Sequence, residues 1–340
     1  MAQATNRAQY DPAGNPKLLS TAPRVIALVI LPVSFVIFLL VTLSAEHASS
    51  VIFGIGVVAL LLIELWRRII QRAKVKSDVL QDATTSLIVQ LITGLMNNII
   101  MVPLIFIWMT FVSKLTPLHL QQRIADLFDG NLKNPYAIAV TLAIALVCAD
   151  FLYYWAHRGG HRIELFWASH SVHHSSEHYN PTTATRISFL DEAWDLFMMS
   201  VMCLLGLNPF YALGAYAIVL LWQLPVHQTW MGTLPRWYEF IFNSPEHHRV
   251  HHAFQKIYID KNFGGITILW DRLFGTYADV DPSDPPKYGL TVAIGTYNPV
   301  KVLFIEFGHI GSNLRHAKSP SEALGYVFKQ PYWKPADKAA

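Results

Sequence analysis

The sequence is poor in cysteine and in charged residues, and each shortage excludes a class of protein. Only two cysteines, Cys148 and Cys203, occur in 340 residues, and both lie in apolar stretches where a free thiol behaves as a small buried hydrophobe. They predict neither a disulfide framework nor a cysteine-rich metal site. Charged residues make up 14% of the chain, its formal net charge is +3, and it has no long Lys/Arg run. A nucleic-acid partner is therefore not expected.

Hydrophobic residues are abundant instead, at 53% of the chain, and this composition favours a membrane protein. Four apolar runs approach the length needed to cross a hydrocarbon core of about 30 Å. They are residues 25–43, 51–66, 87–112 and 136–155. A fifth apolar region, residues 193–224, is interrupted by Asn208 and Pro209, and this pattern predicts a re-entrant helical hairpin.

Basic residues predict the orientation of these segments. Five of them follow the second run, at Arg67, Arg68, Arg72, Lys74 and Lys76. By the positive-inside rule this end is cytosolic, and so is the N-terminus. Counting crossings from there places His157 and all later histidines on the cytosolic side.

The sequence therefore predicts an all-α, integral membrane helical bundle with about four transmembrane helices, a re-entrant hairpin and a cytosolic histidine-rich helical cap. The predicted regions are a cytosolic tail (1–24), the transmembrane helices (25–155), a catalytic region that includes the hairpin (156–280) and a cytosolic C-terminal segment (281–340).

The fifteen histidines are clustered in a way that points to metal binding. One pair is four residues apart, and two triples share the spacing HxxHH, so each cluster places its imidazoles on one face of a helix. The clustered histidines are His157 and His161; His170, His173 and His174; and His248, His251 and His252. Isolated histidines such as His47 and His119 are better explained as ordinary polar residues.

Eight clustered imidazoles exceed the four ligands of a tetrahedral zinc site, so two ions are the simplest solution. Imidazole binds iron, zinc, copper and nickel. Two adjacent ions with open positions could activate O₂, which favours iron, but the spacing alone does not exclude zinc or copper. A metal transporter is a competing interpretation. Its ligands would be expected near the bilayer midplane, whereas these histidines follow the ends of the apolar runs.

At these residues the sequence resembles the fatty acid hydroxylase superfamily, the group of membrane di-iron enzymes that includes sterol desaturases and lipid hydroxylases. The family signature is HxxxH, HxxHH and HxxHH. The stretches that look most like its alkylglycerol monooxygenase branch are residues 166–186, 243–265, 268–277 and 287–291. The likeness runs from about Asp150 to the C-terminus.

The resemblance implies that the eight clustered histidines bind two iron ions, and it adds His227 as a ninth ligand. It also implies an O₂-dependent monooxygenase that hydroxylates a membrane lipid at an acyl chain, a head group or a glyceryl ether. Electrons would come from an external reductant, either a reduced pterin or an electron-donor protein of the ferredoxin or cytochrome type. A lipid or sterol desaturase is the alternative within enzymes. The bacterial inner membrane is favoured over the endoplasmic reticulum.

Acidic residues near the clusters are candidates to support the ligands, because a metal-bound imidazole needs an acceptor for its other N–H group. Glu177 and Asp260 are the preferred catalytic acids, since each lies beside a histidine run with few other acids nearby. The remaining candidates are Asp150, Asp191, Glu192, Asp195 and Asn262. Whether His178 and His247 contact a metal is left open.

Overall fold

A computed structural model of the protein describes residues 77–335, and this part of the chain is helical. It contains no β-strand; within it, the pairs Phe242–Thr267 and Ala253–Tyr288 form isolated bridges. The helices are α1 (Ser77–Met96), α2 (Val102–Ser113), α3 (Leu120–Asp126), α4 (Pro135–Arg162), α5 (Glu164–His174), α6 (Phe189–Leu204), α7 (Pro209–Gln223), α8 (Arg236–Ile241), α9 (Pro245–His251), α10 (Leu269–Phe274), α11 (Pro299–Arg315) and α12 (Pro320–Phe328). The predicted all-α class is confirmed. The tail and the apolar runs 25–43 and 51–66 lie outside the described residues.

Three helices in the described range are long and apolar enough to cross a membrane. Helices α1 and α2 form one of them, Ser77–Ser113, because a π-helical turn (Asn97–Met101) joins them without a break. The other two are Pro135–Arg162 and Pro209–Val226. Large apolar side chains point outward from the first, where Ile99 is 70% exposed and Ile107 is 65% exposed. Such an exposed apolar surface is what a lipid-facing helix requires, so the chain is a membrane protein.

The predicted hairpin is present as α6 and α7. Asn208 caps α7 by accepting a hydrogen bond from the Phe210 N–H, and Pro209 occupies its first turn, so the residues that interrupt the apolar run are the ones that start the second helix. Gly206 lies in the turn with φ of +90°, and a Cβ there would come within 2.5 Å of the Leu120 nitrogen. The hairpin turn therefore packs directly against the start of α3.

The main hydrophobic core lies between α2, α4, α6 and α7. Fully buried residues from each helix meet there, including Met109, Ala149, Met199 and Val219. Both cysteines are free thiols in this part of the fold, as the sequence predicts. This core packs the C-terminal half of α4, which ends with His157 and His161, against the hairpin helices α6 and α7.

A buried ion pair ties the segment between α5 and the hairpin to α1, while short helices follow the hairpin. Arg186, which follows the 3₁₀ turn Pro181–Thr185, donates a hydrogen bond to Asp82 of α1 over 2.6 Å, and both side chains are almost completely buried. Ser176 donates to the other oxygen of the same carboxylate over 2.5 Å. Because this carboxylate is paired and hydrogen-bonded, it can remain buried while it fixes the segment that follows α5.

Candidate metal centre

Nine histidines lie in two adjoining groups, and these are the nine that the sequence and the resemblance selected. The first group contains His157, His161, His170, His174 and His251. The second group contains His173, His227, His248 and His252. Within each group the ring nitrogens that could bind an ion all lie within 4.8 Å of one another. The groups adjoin because the rings of His174 and His252 stack with centroids 4.4 Å apart.

Each HxxHH triple is divided between the two groups. In α5, His170 and His174 belong to the first group, while His173 belongs to the second. In the triple of α9, the relation is reversed, since His248 and His252 belong to the second group and His251 to the first. Residues four apart on a helix differ by only about 40° in direction, whereas the third member is turned further round. One helix therefore contributes to two neighbouring sites.

The Nε2 atoms within each group converge at spacings that fit a bound metal ion. In the first group, Nε2 of His170 lies 3.1 Å from that of His157 and 3.2 Å from that of His174. In the second, Nε2 of His227 lies 3.2 Å from that of His173 and 2.9 Å from that of His248. Two nitrogens bound at right angles, each about 2.1 Å from one ion, would lie about 3.0 Å apart. The donor set thus fits an ion at the centre of each group.

Buried nitrogens without a partner give a second test of this fit. The Nε2 atoms of His161 and His251 are buried and have no hydrogen-bond partner among the described residues. Both belong to the first group. An unsatisfied buried polar atom costs free energy, and a metal ion is a partner that would remove this cost.

Backbone carbonyls set the orientation of three rings. Nδ1 of His157 contacts the carbonyl of Phe263 at 2.9 Å, Nδ1 of His251 that of Lys261 at 2.9 Å, and Nδ1 of His227 that of Gln223 at 2.7 Å. A carbonyl oxygen only accepts hydrogen bonds, so the proton of each neutral ring must lie on Nδ1. The lone pair is then on Nε2, which faces the other histidines of its group.

One carboxylate also holds a ring of the first group. Nδ1 of His170 donates to Asp191, at 2.9 Å from its Oδ2. The preferred acids are placed differently, since Glu177 has an exposed side chain and Asp260 pairs with Arg162 at 3.2 Å. These contacts give the preference for Glu177 and Asp260 no support, and Asp191 takes the supporting position expected for them. Asp191 is 21 residues from His170 along the chain but adjacent to it in space.

The carbonyl that orients His157 belongs to a loop fixed by two buried aspartates. Asp150 of α4 accepts hydrogen bonds from the backbone of Ile266 at 2.6 Å, and Asp271 accepts from the backbone of Phe263 at 2.8 Å. Gly265 lets this loop approach α4, since a Cβ there would lie 2.9 Å from the ring of Tyr153. Asp271 was not selected from the sequence. Its position in α10 gave no signal of a contact with the histidine site.

Burial keeps six of the imidazoles neutral by lowering their pKa. It lowers the pKa of His227 to about 4 and that of His251 to about 3. Burial first, and neighbouring imidazoles second, hold the pKa well below its usual value for His173, His174, His248 and His252. Metal binding requires the unprotonated ring, so these histidines are in the binding form at neutral pH.

The two histidines left open by the sequence lie outside both groups. His247 acts in the cap of α9, where its Nδ1 accepts from the Ser244 N–H at 3.3 Å while its own N–H donates to the Ser244 hydroxyl. His178 lies 3.4 Å from Asp78 of α1. A capping role for His247 could have been suspected, because serine at the cap followed by a polar side chain three residues later is a known start signal of helices.

Comparison with known proteins finds a family match over the part of the chain that contains the histidines. Residues 142–276, which include all nine, match the family model described as fatty acid hydroxylase. This match confirms the predicted resemblance to the family over these residues. The alkylglycerol monooxygenase of Danio rerio is 38% identical to this chain over 204 residues, 60% of this chain and 45% of that protein. The human protein of the same name is 37% identical over 191 residues, 56% of this chain and 42% of that protein.

Another relative is less similar. The ornithine lipid hydroxylase OlsE of Rhizobium tropici is 30% identical over 166 residues, 46% of this chain and 48% of that protein. The chain spans less than half of the length of the alkylglycerol monooxygenases it matches. No solved structure matches the chain.

Proposed function

We propose that the protein is an O₂-dependent, di-iron lipid monooxygenase. The observation that carries this proposal is the pair of adjoining histidine groups, one of five imidazoles and one of four, inside a fatty acid hydroxylase domain. Five nitrogens exceed the four ligands of a tetrahedral zinc site, and imidazole is a good ligand for iron. In a six-coordinate ion the first group would leave one position open and the second group two.

The roles of the protein's own residues follow from their contacts. The first group would hold one ion and the second group the other. Bound iron would supply the redox chemistry that activates O₂. Asp191 and the carbonyls of Phe263, Lys261 and Gln223 keep the ring nitrogens aimed inward. Eight of the nine histidines are buried and His161 is partly buried, which limits the access of bulk water to the centre.

The proposed reaction is the insertion of one oxygen atom into a C–H bond. One O₂, two electrons and two protons would convert the C–H bond to C–OH, and the second oxygen atom would leave as water. The electrons would come from an external donor, for which a reduced pterin, a ferredoxin and a cytochrome are the candidate classes.

A lipid substrate fits the position of the centre. His157 and His161 lie in the last turns of α4, a helix that is long and apolar enough to cross a membrane, so a lipid could reach the centre from the bilayer. Two relatives are named alkylglycerol monooxygenases, which makes a glyceryl ether the first substrate to test. Hydroxylation beside the ether oxygen would give a hemiacetal that collapses to an aldehyde and glycerol. An amino-acid-containing lipid is the second, given the name of the Rhizobium relative.

The centre is proposed to face the cytosol of a bacterium, with the protein in the inner membrane. The basic residues that follow the apolar run 51–66 support this orientation. Reductant from the cytosol would then reach the centre directly.

The experiment is lipid analysis after exposure to ¹⁸O₂. Membranes that contain the full-length protein would be supplied with a 1-O-alkylglycerol and with an ornithine lipid, beside membranes that contain His173→Ala. We expect one ¹⁸O atom in a lipid product of the wild type and none with the variant. A new double bond without ¹⁸O would identify a desaturase. Stoichiometric metal without any oxidised lipid would contradict the proposal and favour metal transport or storage.

A further inference from the structure

The proposed reaction needs two electrons from outside, and a cavity separated from the first histidine group by Trp167 has the features of an entry site. The cavity has a volume of about 440 Å³ and lies between the start of α5, helices α11 and α12, and the segment after α12. This volume is within the range of small-molecule sites in proteins. It is formed by residues that neither bind the histidine centre nor face the main hydrophobic core.

A buried carboxylate and aromatic rings give this cavity a defined chemical character. Glu164, at the first position of α5, is only 6% exposed, and its Oε2 accepts a hydrogen bond from the Tyr332 N–H at 2.8 Å. Tyr326, Tyr332 and Trp333 also line the cavity. A buried acid among aromatic rings suits a flat ligand that carries N–H groups, because the acid accepts from those groups and the rings stack on the flat faces. It does not suit an acyl chain.

The ring of Trp333 is fixed where it lines the cavity. It packs against Tyr326 with centroids 5.5 Å apart, and the Lys329 ammonium lies 4.4 Å from its ring centroid. Gly325 makes room for it, since a Cβ there would come within 2.5 Å of the indole. The cavity therefore has a wall that is already in place.

A single aromatic side chain connects the cavity to the histidine centre. Trp167, one turn after Glu164, donates its indole N–H to the Tyr332 hydroxyl over 3.4 Å. On its other side the indole contacts two rings of the first group, with centroid distances of 5.2 Å to His161 and 5.9 Å to His174. Tyr332, Trp167 and His161 thus form a continuous series of side chains, joined first by a hydrogen bond and then by a ring contact.

We propose that this cavity binds a small, flat electron donor with N–H groups, and that electrons pass from it across Tyr332 and Trp167 to the first histidine group. The inference rests on the proposed function. The donor gives up two electrons and two protons in total, and these reduce the oxygen atom of O₂ that leaves as water. Glu164 holds the donor by its N–H groups, and Trp167 is a positioning residue for electron transfer.

Binding is tested first, because it does not depend on turnover. The probe is 6-methylpterin, a flat heterocycle with an N–H edge, in equilibrium dialysis against the full-length protein in detergent. We expect one site per chain, and at least a tenfold weaker Kd for Glu164→Gln. The matched control is Glu239→Gln, because Glu239 is also a buried glutamate that accepts a backbone N–H, from Leu234 at 2.8 Å, and does not line the cavity. Absence of binding, or equal Kd values for the two variants, would overturn the proposal.

Electron transfer is tested by stopped-flow reduction of the metal-loaded protein with reduced 6-methylpterin and, separately, with dithionite. Trp167→Phe should bind 6-methylpterin normally and be reduced by the pterin at least tenfold more slowly, while dithionite reduces it at the rate of the wild type. The control is Trp194→Phe, whose indole donates to the Ala156 carbonyl and does not contact the histidines. Equal slowing with both reductants would assign Trp167 a purely structural role and overturn the relay.

The outcomes also separate this inference from the proposed function. Glu164-dependent binding without lipid oxidation would support the donor site and contradict the monooxygenase. Lipid oxidation that is driven only by a reduced ferredoxin, with rates unaffected by Glu164→Gln and Trp167→Phe, would support the monooxygenase and overturn the donor site.

Discussion

The two histidine groups differ in the number of their ligands and in how firmly these are held. The first group has five imidazoles, and three of them are oriented by outer hydrogen bonds to Asp191 and to the carbonyls of Phe263 and Lys261. The second group has four. One of these, His227, is oriented by the carbonyl of Gln223, while Nδ1 of His248 is buried without a partner among residues 77–335.

The comparison shows that the same sequence motif, HxxHH, contributes ligands to two unequal sites in this fold. Outer hydrogen bonds fix ring orientation and strengthen ligands, so the first group should hold its ion more tightly. The second group has fewer ligands and would leave more open positions. We therefore expect it to release its ion first and to be the more accessible site for O₂.

Removal of one ligand from each group should have the largest effect. His251→Ala takes a ligand from the first group, and His252→Ala takes one from the second. Both should lower activity by more than about 100-fold, beyond the 10- to 100-fold typical of residues that only support a ligand. His252→Ala should lose more iron, because it leaves three imidazoles where His251→Ala leaves four. Elemental analysis of purified protein measures this difference.

The control for the ligand variants is His119→Asn. His119 lies outside both groups at a φ of +47°, which asparagine tolerates. This variant should keep both ions. Greater iron loss from His251→Ala than from His252→Ala would reverse the ranking of the two sites.

Metal removal should have the second-largest effect. Increasing chelator should remove iron in two stages, with the second group emptied first, and the thermal midpoint should fall at each stage because bound metal stabilises only the folded state. Iron content and thermal unfolding would be followed together. In His227→Ala the first stage should disappear. A single stage in the wild type would mean that the two sites are equally strong.

Loss of the supporting carboxylate should have a smaller effect, confined to the first group. Asp191→Asn retains the shape of the side chain but weakens the acceptor for Nδ1 of His170, and it should lower iron affinity or activity by about 10- to 100-fold. Glu192→Gln is the control, because Glu192 is hydrogen-bonded to Asn97 and not to a histidine. If Glu192→Gln reduced iron affinity as strongly as Asp191→Asn, the role given to Asp191 would be contradicted.

Tyr179 offers the mildest test, on the side of the second group. Its hydroxyl donates to the Val226 carbonyl at 3.0 Å, and its ring lies 5.0 Å from His252 and 5.8 Å from His227. Tyr179→Phe removes the hydrogen bond and keeps the ring, so stability should fall by about 0.5–1.5 kcal/mol. Denaturant unfolding measures this. An unchanged iron content is expected, and its loss would mean that the second group depends on this hydroxyl.

The sequence predicted the elements of the fold better than their arrangement. Residues 87–112, 136–155 and 193–224 were predicted as apolar helices, and the structure extends or divides them at residues that the sequence marks, such as Asn208 and Pro209. Hydrophobic runs and caps are local signals, so they can be found without tertiary structure. Within the run 87–112, just before Pro103, the structure has a π-helical turn, Asn97–Met101.

The site was predictable as a set of histidines but not as two groups. The spacing HxxHH gives the face of a helix, whereas the division of each triple depends on where the other helices present their rings. The groups that accept hydrogen bonds from the histidine rings were harder to predict. Three are backbone carbonyls, which no side-chain pattern can reveal, and Asp191 was one of several acids that only the packing of α6 beside α5 could distinguish.

X-ray absorption at the iron edge of the purified, full-length protein tests the central claim most directly. The account predicts two irons per chain, a coordination shell of nitrogen and oxygen with the scattering pattern of several imidazoles, and a second iron nearby. A protein that takes up only zinc in fourfold coordination, or iron with sulfur in its shell, would contradict it.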